Sequence, residues 1–334
     1  MIEIQLSGEL IVRAPHVADA AGVAALYNAC SLDEIGAAIT SPHEIGSEWQ
    51  VPGFDLAQDA WLVTLPAGRV VGYLDVWSPE PNITAYSDGR VHPDYRGRGI
   101  GTYLLQMAEA RSRELTLPAP ADARLRVVNR ALSTNEGAKR LFAAHGYRLT
   151  RHFWRMSIEL DGEPPEPVWP EGITARNLVA GQDERLAYEA DEEAFQDHHD
   201  HTPISFETWL HWDASDPEKF DPSLWFLALD GEALAGLIRC ELRQTEDPEA
   251  GWVGTLAVRR PWRRRGLGLA LLRQGFRELY RRGQRRVGLT VDAASLTGAT
   301  RLYERAGMRV VRQTDAYEKV LRAGGSVGPG HTPD

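Results

Sequence analysis

The chain of 334 residues repeats itself, and this internal repeat is the feature that most restricts how it can fold. The segment RGRGIGTYLL (96–105) returns as RRRGLGLALL (263–272), with its arginine and glycine positions 167 residues further on. Neighbouring segments return in the same order, 61–77 as 224–240 and 138–147 as 299–308. Because order and spacing hold over the length of a domain, the repeat predicts two copies of one fold.

The segment LDGEPPEPVWPEG (160–172) separates the two copies, and its prolines and acids are typical of an extended linker. We therefore expect an N-terminal domain at residues 1–160, a linker at 161–171 and a C-terminal domain at 172–322. The end of the chain, residues 323–334, is rich in glycine and proline and has no large apolar side chains. This composition predicts a disordered tail.

Each copy is predicted to contain the same mixture of strands and helices. A short strand (10–14 or 172–176) leads into a helix, two strands joined by a tight turn follow, and a further strand ends at Val91 or Val258. A helix, a strand, a second helix and a final strand complete the copy. This order predicts the α+β class, with helices around a mixed central sheet in each domain.

The net charge of −10 argues against a general nucleic-acid binder. No apolar run approaches the roughly 18 residues that a membrane helix needs. The first residues carry acids where a secretion signal has a basic region. Two isolated cysteines, Cys30 and Cys240, favour a reducing compartment. We therefore expect a cytoplasmic protein with neither a nucleic-acid nor a membrane partner.

The repeated loop lies between the end of a strand and the start of a helix. Helix starts attract anions, glycine lets the backbone approach a ligand closely, and arginine forms strong hydrogen bonds to phosphate. The loop therefore predicts a pyrophosphate site, and a solvated basic helix start is the alternative. The patterns GxxxxGK[ST] and GxGxxG are both absent, which argues against a P-loop nucleotidase and a dinucleotide fold.

A family resemblance follows from these motifs. A strand ending in LAV, then Arg-x-x-Gly-x-Gly, then LL, and finally A-x-x-LY-x-x-x-GM resemble the GNAT superfamily of acetyltransferases. The segment RVHPDYRGRGIGTYLL (90–105) carries the loop pattern in the first copy. The resemblance covers both copies and implies two tandem GNAT domains that use acetyl-CoA. The tandem arrangement is similar to that of mycothiol synthase-like proteins.

The resemblance also implies roles for particular residues. In the second copy, the strand end at Leu256, Ala257 and Val258 would pair with pantetheine and direct an N–H at the thioester oxygen. The loop would bind the diphosphate through Arg263, Arg264, Arg265, Gly266, Leu267 and Gly268. Ser295 stands where the subgroup often has an asparagine beside CoA, and a serine can still form a hydrogen bond there. The corresponding residues of the first copy are Val91, Arg96, Gly97, Arg98, Gly99, Gly101 and Asn135.

Tyr303 matches the general acid of the family. A phenol, with a pKa of about 10, keeps its proton longer than a thiol of pKa about 8.5, so it can donate to the departing sulfur. Packing in the core is the alternative role. The first copy has Phe142 at this position, and phenylalanine cannot donate a proton. We therefore predict that the second domain performs the chemistry and that catalysis in the first is impaired or absent.

The general base is left open by the sequence. The strand GWVGTLAV (251–258) contains no acid, and Glu241, Glu249 and Asp88 are expected to be solvated surface residues. Residues 189–212 combine acids with aromatics, which suits a cationic small amine or, alternatively, a solvated acidic helix end. His198, His199 and His201 raise the possibility of zinc. No cysteine or HExxH pair accompanies these histidines, so we expect no metal.

These observations favour an acetyl-CoA-dependent N-acetyltransferase that acts on a small amine by direct attack. Whether the chain is a monomer or a homodimer is left open. One alternative is acetylation of a cysteinyl pseudodisaccharide, as in mycothiol synthase-like proteins. The other is a non-catalytic sensor that binds acyl-CoA. Tyr303 favours an enzyme, and the missing carboxylate on the strand favours the sensor.

Overall fold

The computed structural model of the protein describes residues 10–196, 202–214, 216, 220–295 and 298–324. Contacts divide the chain into two compact units, the first running to Thr150 and resuming at Asp315, the second spanning Arg151–Thr314. Helices packed on mixed strands confirm the predicted α+β class. Most of the predicted tail, residues 325–334, lies outside the described residues. Among the described helices, none is long and apolar enough to cross a membrane.

The strands of the first unit lie side by side in chain order, antiparallel except for the last pair, which is parallel. They are β1 (Ile11–Arg13), β2 (Ala60–Thr64), β3 (Val70–Trp77), β4 (Thr84–Val91) and β5 (Leu125–Leu132). The helices are α1 (Ala20–Ile35), α2 (Pro42–Glu48), α3 (Leu56–Asp59), α4 (Ile100–Leu115) and α5 (Glu136–Ala144).

Alternation along β3 separates two apolar layers in the first unit. Tyr73 packs in the cluster of helix α1, whereas its neighbour Leu74 packs in the cluster of helix α4. Successive side chains of a strand point to opposite faces, so these two helices cover opposite faces of the sheet.

The second unit repeats this arrangement. Its strands are β7 (Ile173–Asn177), β8 (Trp225–Asp230), β9 (Ala233–Glu241), β10 (Ala250–Val258) and β11 (Arg286–Asp292). Only the β10–β11 pair among them is parallel. The helices are α6 (Glu184–Phe195), α7 (Phe206–Asp213), α8 (Leu267–Arg281) and α9 (Ala299–Arg305).

The final strand of each sequence repeat is divided between the units. Strand β6 (Arg148–Glu159) belongs to the second unit from Arg151 on, where it pairs antiparallel with β11. Strand β12 (Arg309–Arg322) belongs to the first unit from Asp315 on. There the buried Glu318 carboxylate pairs with Arg126 of β5 and with Arg124, the residue just before that strand. The division by contacts therefore differs from the division by repeat, which places a linker at 161–171.

Candidate functional site

The glycine loop of the second unit leads from strand β10 into helix α8. Gly266 is the residue before the helix, with a φ of 89° and no side-chain cap on the first turn. A Cβ at this position would meet nothing within 4 Å, so the backbone faces open space. The left-handed φ explains the glycine, and the uncapped helix start leaves backbone N–H groups available to an anion.

The next glycine of the motif, Gly268, is explained by packing inside the unit. A Cβ at Gly268 would lie 3.1 Å from Leu302 Cδ2, and in the first unit a Cβ at Gly101 would lie 3.2 Å from Leu141 Cδ2. Both glycines therefore let the helix pack closely on the helix that follows β11 or β5. Open space for a ligand is found at Gly266 rather than at Gly268.

The three arginines of the loop do not share one role. Arg263 turns inward, donating from Nε to the Val258 carbonyl at 3.0 Å and from Nη2 to the Ala194 carbonyl at 3.2 Å. It thus fixes the loop against the end of β10 and of helix α6. Arg264 and Arg265 are exposed, and Arg264 holds a φ of 61° that favours glycine. Arg264 and Arg265, unlike Arg263, therefore lie at the surface of the loop.

The first unit builds the same loop. Gly97 and Gly99 have φ angles of 76° and 84°, and Gly99 precedes helix α4. Arg96 pairs with Asp33 at 2.7 Å and with Glu34 at 3.2 Å, both near the end of helix α1. Its guanidinium is thus held by acids, as that of Arg263 is held by carbonyls. Arg98 lies over the ring of Tyr95, 4.7 Å from its centre.

The residues predicted to lie beside CoA sit differently in the two units. Asn135 caps helix α5 by accepting from Ala138 N at 2.9 Å, and its Nδ2 donates to Glu34 at 2.7 Å. Ser295 follows strand β11, where its backbone N donates to the Asp292 carbonyl. Counted at the 161-residue spacing of this segment, Leu296 rather than Ser295 is equivalent to Asn135, and Leu296 lies outside the described residues.

Strands β10 and β11 diverge next to this loop. Their parallel pairing runs from Ala250 with Arg286 to Trp252 with Gly288 and ends there. On the other edge, Leu256, Ala257 and Val258 remain paired with β9. On the side that faces β11, the backbone groups of these three residues are therefore open to an extended ligand, as those of an edge strand are. In the first unit the β4–β5 pairing likewise ends at Ser87 with Asn129, before Val91 is reached.

A bulge distinguishes strand β10 from strand β4. The pairing of β10 with β9 shifts register between Val253 and Thr255, at Gly254, whereas β4 pairs with β3 without a shift. A β-bulge leaves one residue out of the ladder and redirects the backbone groups around it. This irregularity lies three residues before the open edge at Ala257.

Tyr303 lies on helix α9 with only 8% of its surface exposed. Burial raises the pKa of its phenol to about 12, which keeps the hydroxyl protonated at neutral pH. Within the described residues the hydroxyl has no hydrogen-bond partner. In the first unit Phe142 fills this position, with its ring centre 5.6 Å from that of Tyr147 and 5.1 Å from that of Tyr317.

A cluster of acids and one arginine lies on the helix α6 side of the second unit. Trp209 Nε1 donates to Asp191 Oδ2 at 3.0 Å, and Asp213 Oδ1 pairs with Arg239 Nη2 at 2.8 Å. Arg239 Nη1 in turn donates to Glu241 Oε1 at 3.1 Å. The expectation that Glu241 is a solvated surface acid is wrong, because only 16% of its side chain is exposed.

The first unit has a polar cluster on the corresponding strands. Asp75 of β3 and Asp88 of β4 lie directly opposite each other. Tyr73 donates its hydroxyl to Asp75 at 2.8 Å, Tyr27 donates to Asp88 at 2.9 Å, and Arg90 donates to Asp88 at 2.6 Å. Burial and the facing Asp88 raise the pKa of Asp75 to about 7. Asp88 therefore belongs to an ordered network while 46% of its side chain remains exposed, as the surface role expected for it implies.

Strand β10 contains no acid, and nothing in the sequence of that strand points to the acids that the helices of the same unit supply. The acids Asp191 and Asp213 come from α6 and α7, within or next to the acidic stretch 189–212 that the sequence had singled out. Two carboxylates at the ends of separate helices give no local pattern. His198, His199 and His201 lie outside the described residues, and no cluster that could hold a metal occurs among those described.

Comparison with known proteins agrees with this geometry. Residues 184–308 match the acetyltransferase (GNAT) family and residues 57–149 match an acetyltransferase (GNAT) domain. The chain belongs to the GNAT acetyltransferase family. The predicted tandem arrangement of two such domains is therefore confirmed, and so is the prediction of an acetyltransferase that uses acetyl-CoA.

Individual relatives cover most of the chain. A mycothiol acetyltransferase of Streptomyces scabiei is 34% identical over 74% of this chain and 75% of its own length. Another from Streptomyces coelicolor is 32% identical over 76% and 77%. Among solved structures, a GCN5-related N-acetyltransferase from Sphaerobacter thermophilus is 42% identical, covers 97% of this chain and 99% of its own, and has a TM-score of 0.79. A tandem GNAT protein from the clavulanic acid biosynthesis pathway, 18% identical with a TM-score of 0.70, shares the fold.

Proposed function

We propose that this acetyltransferase transfers the acetyl group of acetyl-CoA to the amine of a small molecule by direct attack in the second unit, with Tyr303 as general acid. The observation that carries the proposal is the contrast between Tyr303 and Phe142 at equivalent positions. Of these two side chains, only the tyrosine can give a proton to the departing thiolate.

The residues of the second unit fit acetyl-CoA. The uncapped start of helix α8 at Gly266 and the exposed Arg264 and Arg265 suit the diphosphate. The open edge of Leu256, Ala257 and Val258 suits the amide groups of pantetheine, which is an extended chain. Gly268 supports the same site indirectly, because it holds helix α8 against Leu302.

Replacing Tyr303 tests the proposal. We expect Tyr303→Phe to lower the rate of thiol release from acetyl-CoA by about 100-fold with L-cysteine, glucosamine or 2-phenylethylamine, because the thiolate then leaves without a proton donor. Affinity for acetyl-CoA, measured by calorimetry, should stay unchanged. Tyr280→Phe on helix α8 is the matched control and should keep the full rate. An unchanged rate in Tyr303→Phe would overturn the assignment of the acid.

A cysteinyl amine is the second candidate acceptor. The observation that favours it is the 34% identity to a protein named mycothiol acetyltransferase over three quarters of the chain. The enzyme would then acetylate a cysteinyl-glucosaminyl-inositol faster than L-cysteine or glucosamine alone. Equal rates with all three compounds would contradict this choice. The cytoplasmic location and the monomeric or dimeric state stay predictions.

A further inference from the structure

We infer that Asp191 is the general base of the second unit and that its carboxylate receives the ammonium group of the acceptor. The inference rests on the function proposed above, because it assigns a role within the same reaction. It places on helix α6 the acid that strand β10 lacks between Gly251 and Val258.

The hydrogen bonding of Asp191 leaves half of its carboxylate available. Trp209 Nε1 holds Oδ2 at 3.0 Å, so the orientation of the group is fixed. Oδ1 is buried and has no hydrogen-bond partner among the described residues. A buried oxygen without a partner is destabilising, and a bound donor would remove this cost. An ammonium group, with three N–H donors, is a partner of the required kind.

A chain of contacts connects the acidic cluster to strand β10. Asp213 pairs with Arg239, whose guanidinium lies above the bulge at Gly254. A Cβ at Gly254 would lie only 2.7 Å from Arg239 Nη2. Helix α6, which carries Asp191, packs against both β9 and β10. The cluster therefore lies on the strand that carries the open backbone edge.

The charges around Asp191 favour a cation. Asp213 from α7, Glu192 from α6 and Arg239 from β9 act on it, and Glu241 shares the same arginine. The acids outnumber the single guanidinium in a partly buried place, so a positively charged ligand is attracted. Burial, together with the repulsion from Asp213, raises the pKa of Asp191 to about 7. Such a carboxyl group accepts a proton from an ammonium group and returns it to water near neutral pH.

The proton and bond changes balance with these two side chains. Asp191 takes one proton from the ammonium group, and the neutral amine forms the C–N bond to the thioester carbon. The C–S bond breaks, and the thiolate takes the proton of Tyr303. The phenolate regains a proton from the newly acylated nitrogen, and Asp191 releases its proton to water.

Nucleophiles that differ in charge separate a base from a structural residue. Hydroxylamine is neutral at pH 7, whereas L-cysteine, glucosamine and 2-phenylethylamine carry ammonium groups. We expect Asp191→Asn to lower kcat/KM about 100-fold for the most active of the three amines, but less than about 3-fold for hydroxylamine. The acid limb of the pH profile for the amine should disappear. Glu232→Gln, an exposed acid in the turn between β8 and β9, is the control and should behave as the wild type.

The outcomes distinguish this inference from the proposed function. An equal loss with both kinds of nucleophile, or no loss with the amine, would overturn Asp191 as the base. A rate that falls in Tyr303→Phe but not in Asp191→Asn would leave the acetyl transfer intact and remove only the inference. If the wild-type enzyme binds acetyl-CoA but none of the nucleophiles causes thiol release, both the proposed function and this inference are overturned.

Discussion

The two units place polar clusters on corresponding strands but complete their hydrogen bonds in different ways. In the first unit, each of Asp75 and Asp88 accepts from a tyrosine hydroxyl, and Arg90 adds a charge to the pair. In the second unit, Arg239 and Thr255 form the cross-strand pair at the corresponding register. The acids Asp191 and Asp213 lie on helices α6 and α7 instead. One oxygen of Asp191 is then left without a partner among the described residues. A complete network stabilises a fold, whereas an incomplete one can bind a ligand.

The proposed general acid differs between the units in the same way. Among the described residues the Tyr303 hydroxyl of the second unit has no hydrogen-bond partner, while Phe142 of the first unit packs against Tyr147 and Tyr317. Both units nevertheless retain the glycine loop and the diverging strands. We therefore propose that the first unit has the shape of an acyl-CoA site without the groups for catalysis.

Moving the tyrosine between the units tests this difference most strongly. The double variant Tyr303→Phe with Phe142→Tyr should stay about 100-fold slower than the wild type in thiol release. We expect no recovery, because the carboxylates of the first unit already have partners. The single variant Phe142→Tyr is the control and should keep the full rate. Recovery in the double variant would show that the first unit lacked only the acid.

The raised pKa of Asp75 predicts an effect on stability that depends on pH. Its pKa is about 7 in the folded chain and about 3.9 in an unfolded one, so the native state binds more protons between these values. The free energy of unfolding therefore falls as pH rises from about 4 to 7. Asp75→Asn should remove this loss and raise the free energy of unfolding at pH 8 by about 1–2 kcal/mol. The gain is smaller than the pKa shift alone would give, because Asp75 is only partly buried and solvent screens its charge.

Urea unfolding at pH 4 and pH 8 measures this effect. The variant and the wild type should be nearly equal at pH 4 and differ at pH 8, while the rate of thiol release stays unchanged. Asp191→Asn gives the contrasting case, since it should gain stability at pH 8 and lose activity. A difference of the same size at both pH values would contradict the ionisation of Asp75 as its cause.

The smallest predicted effect is a change in stability at the glycine loop of the second unit. Arg264 has a φ of 61° at the place where the first unit has Gly97 with a φ of 76°. Arg264→Gly should stabilise the second unit by about 0.5–1 kcal/mol, because glycine adopts this conformation without a steric penalty. Gly97→Arg should cost the first unit a similar amount. Urea midpoints measure both changes, and a destabilised Arg264→Gly would show that the arginine side chain contributes more than the strain removes.

Much of this organisation could be predicted from the sequence because it is local or repeated. The loop and the helix after it lie within short segments whose spacing recurs, so the comparison of copies located them. Tyr303 was identified by the family resemblance. The helix predicted after the strand at 172–176 is α6, Glu184–Phe195. The left-handed backbone at Gly266 and Gly99 is compatible with the residue type, since glycine adopts this conformation without a steric penalty.

What could not be predicted depends on contacts between distant segments. The pairing of Phe153–Glu159 with β11, and of Glu318 with Arg124 and Arg126, has no signature in the strands themselves. Asp191 is one acid among several on an acidic helix, and only its bond to Trp209 and its buried Oδ1 set it apart. The inward turn of Arg263 likewise requires the positions of two carbonyl groups.

A crystal structure of the full chain with CoA tests most directly whether the second unit performs the transfer. The account predicts the diphosphate at the backbone N–H groups that follow Gly266, the pantetheine along Leu256–Val258, and the sulfur within hydrogen-bond distance of the Tyr303 hydroxyl. A second unit without CoA, or a sulfur atom placed beside Phe142 alone, would contradict it.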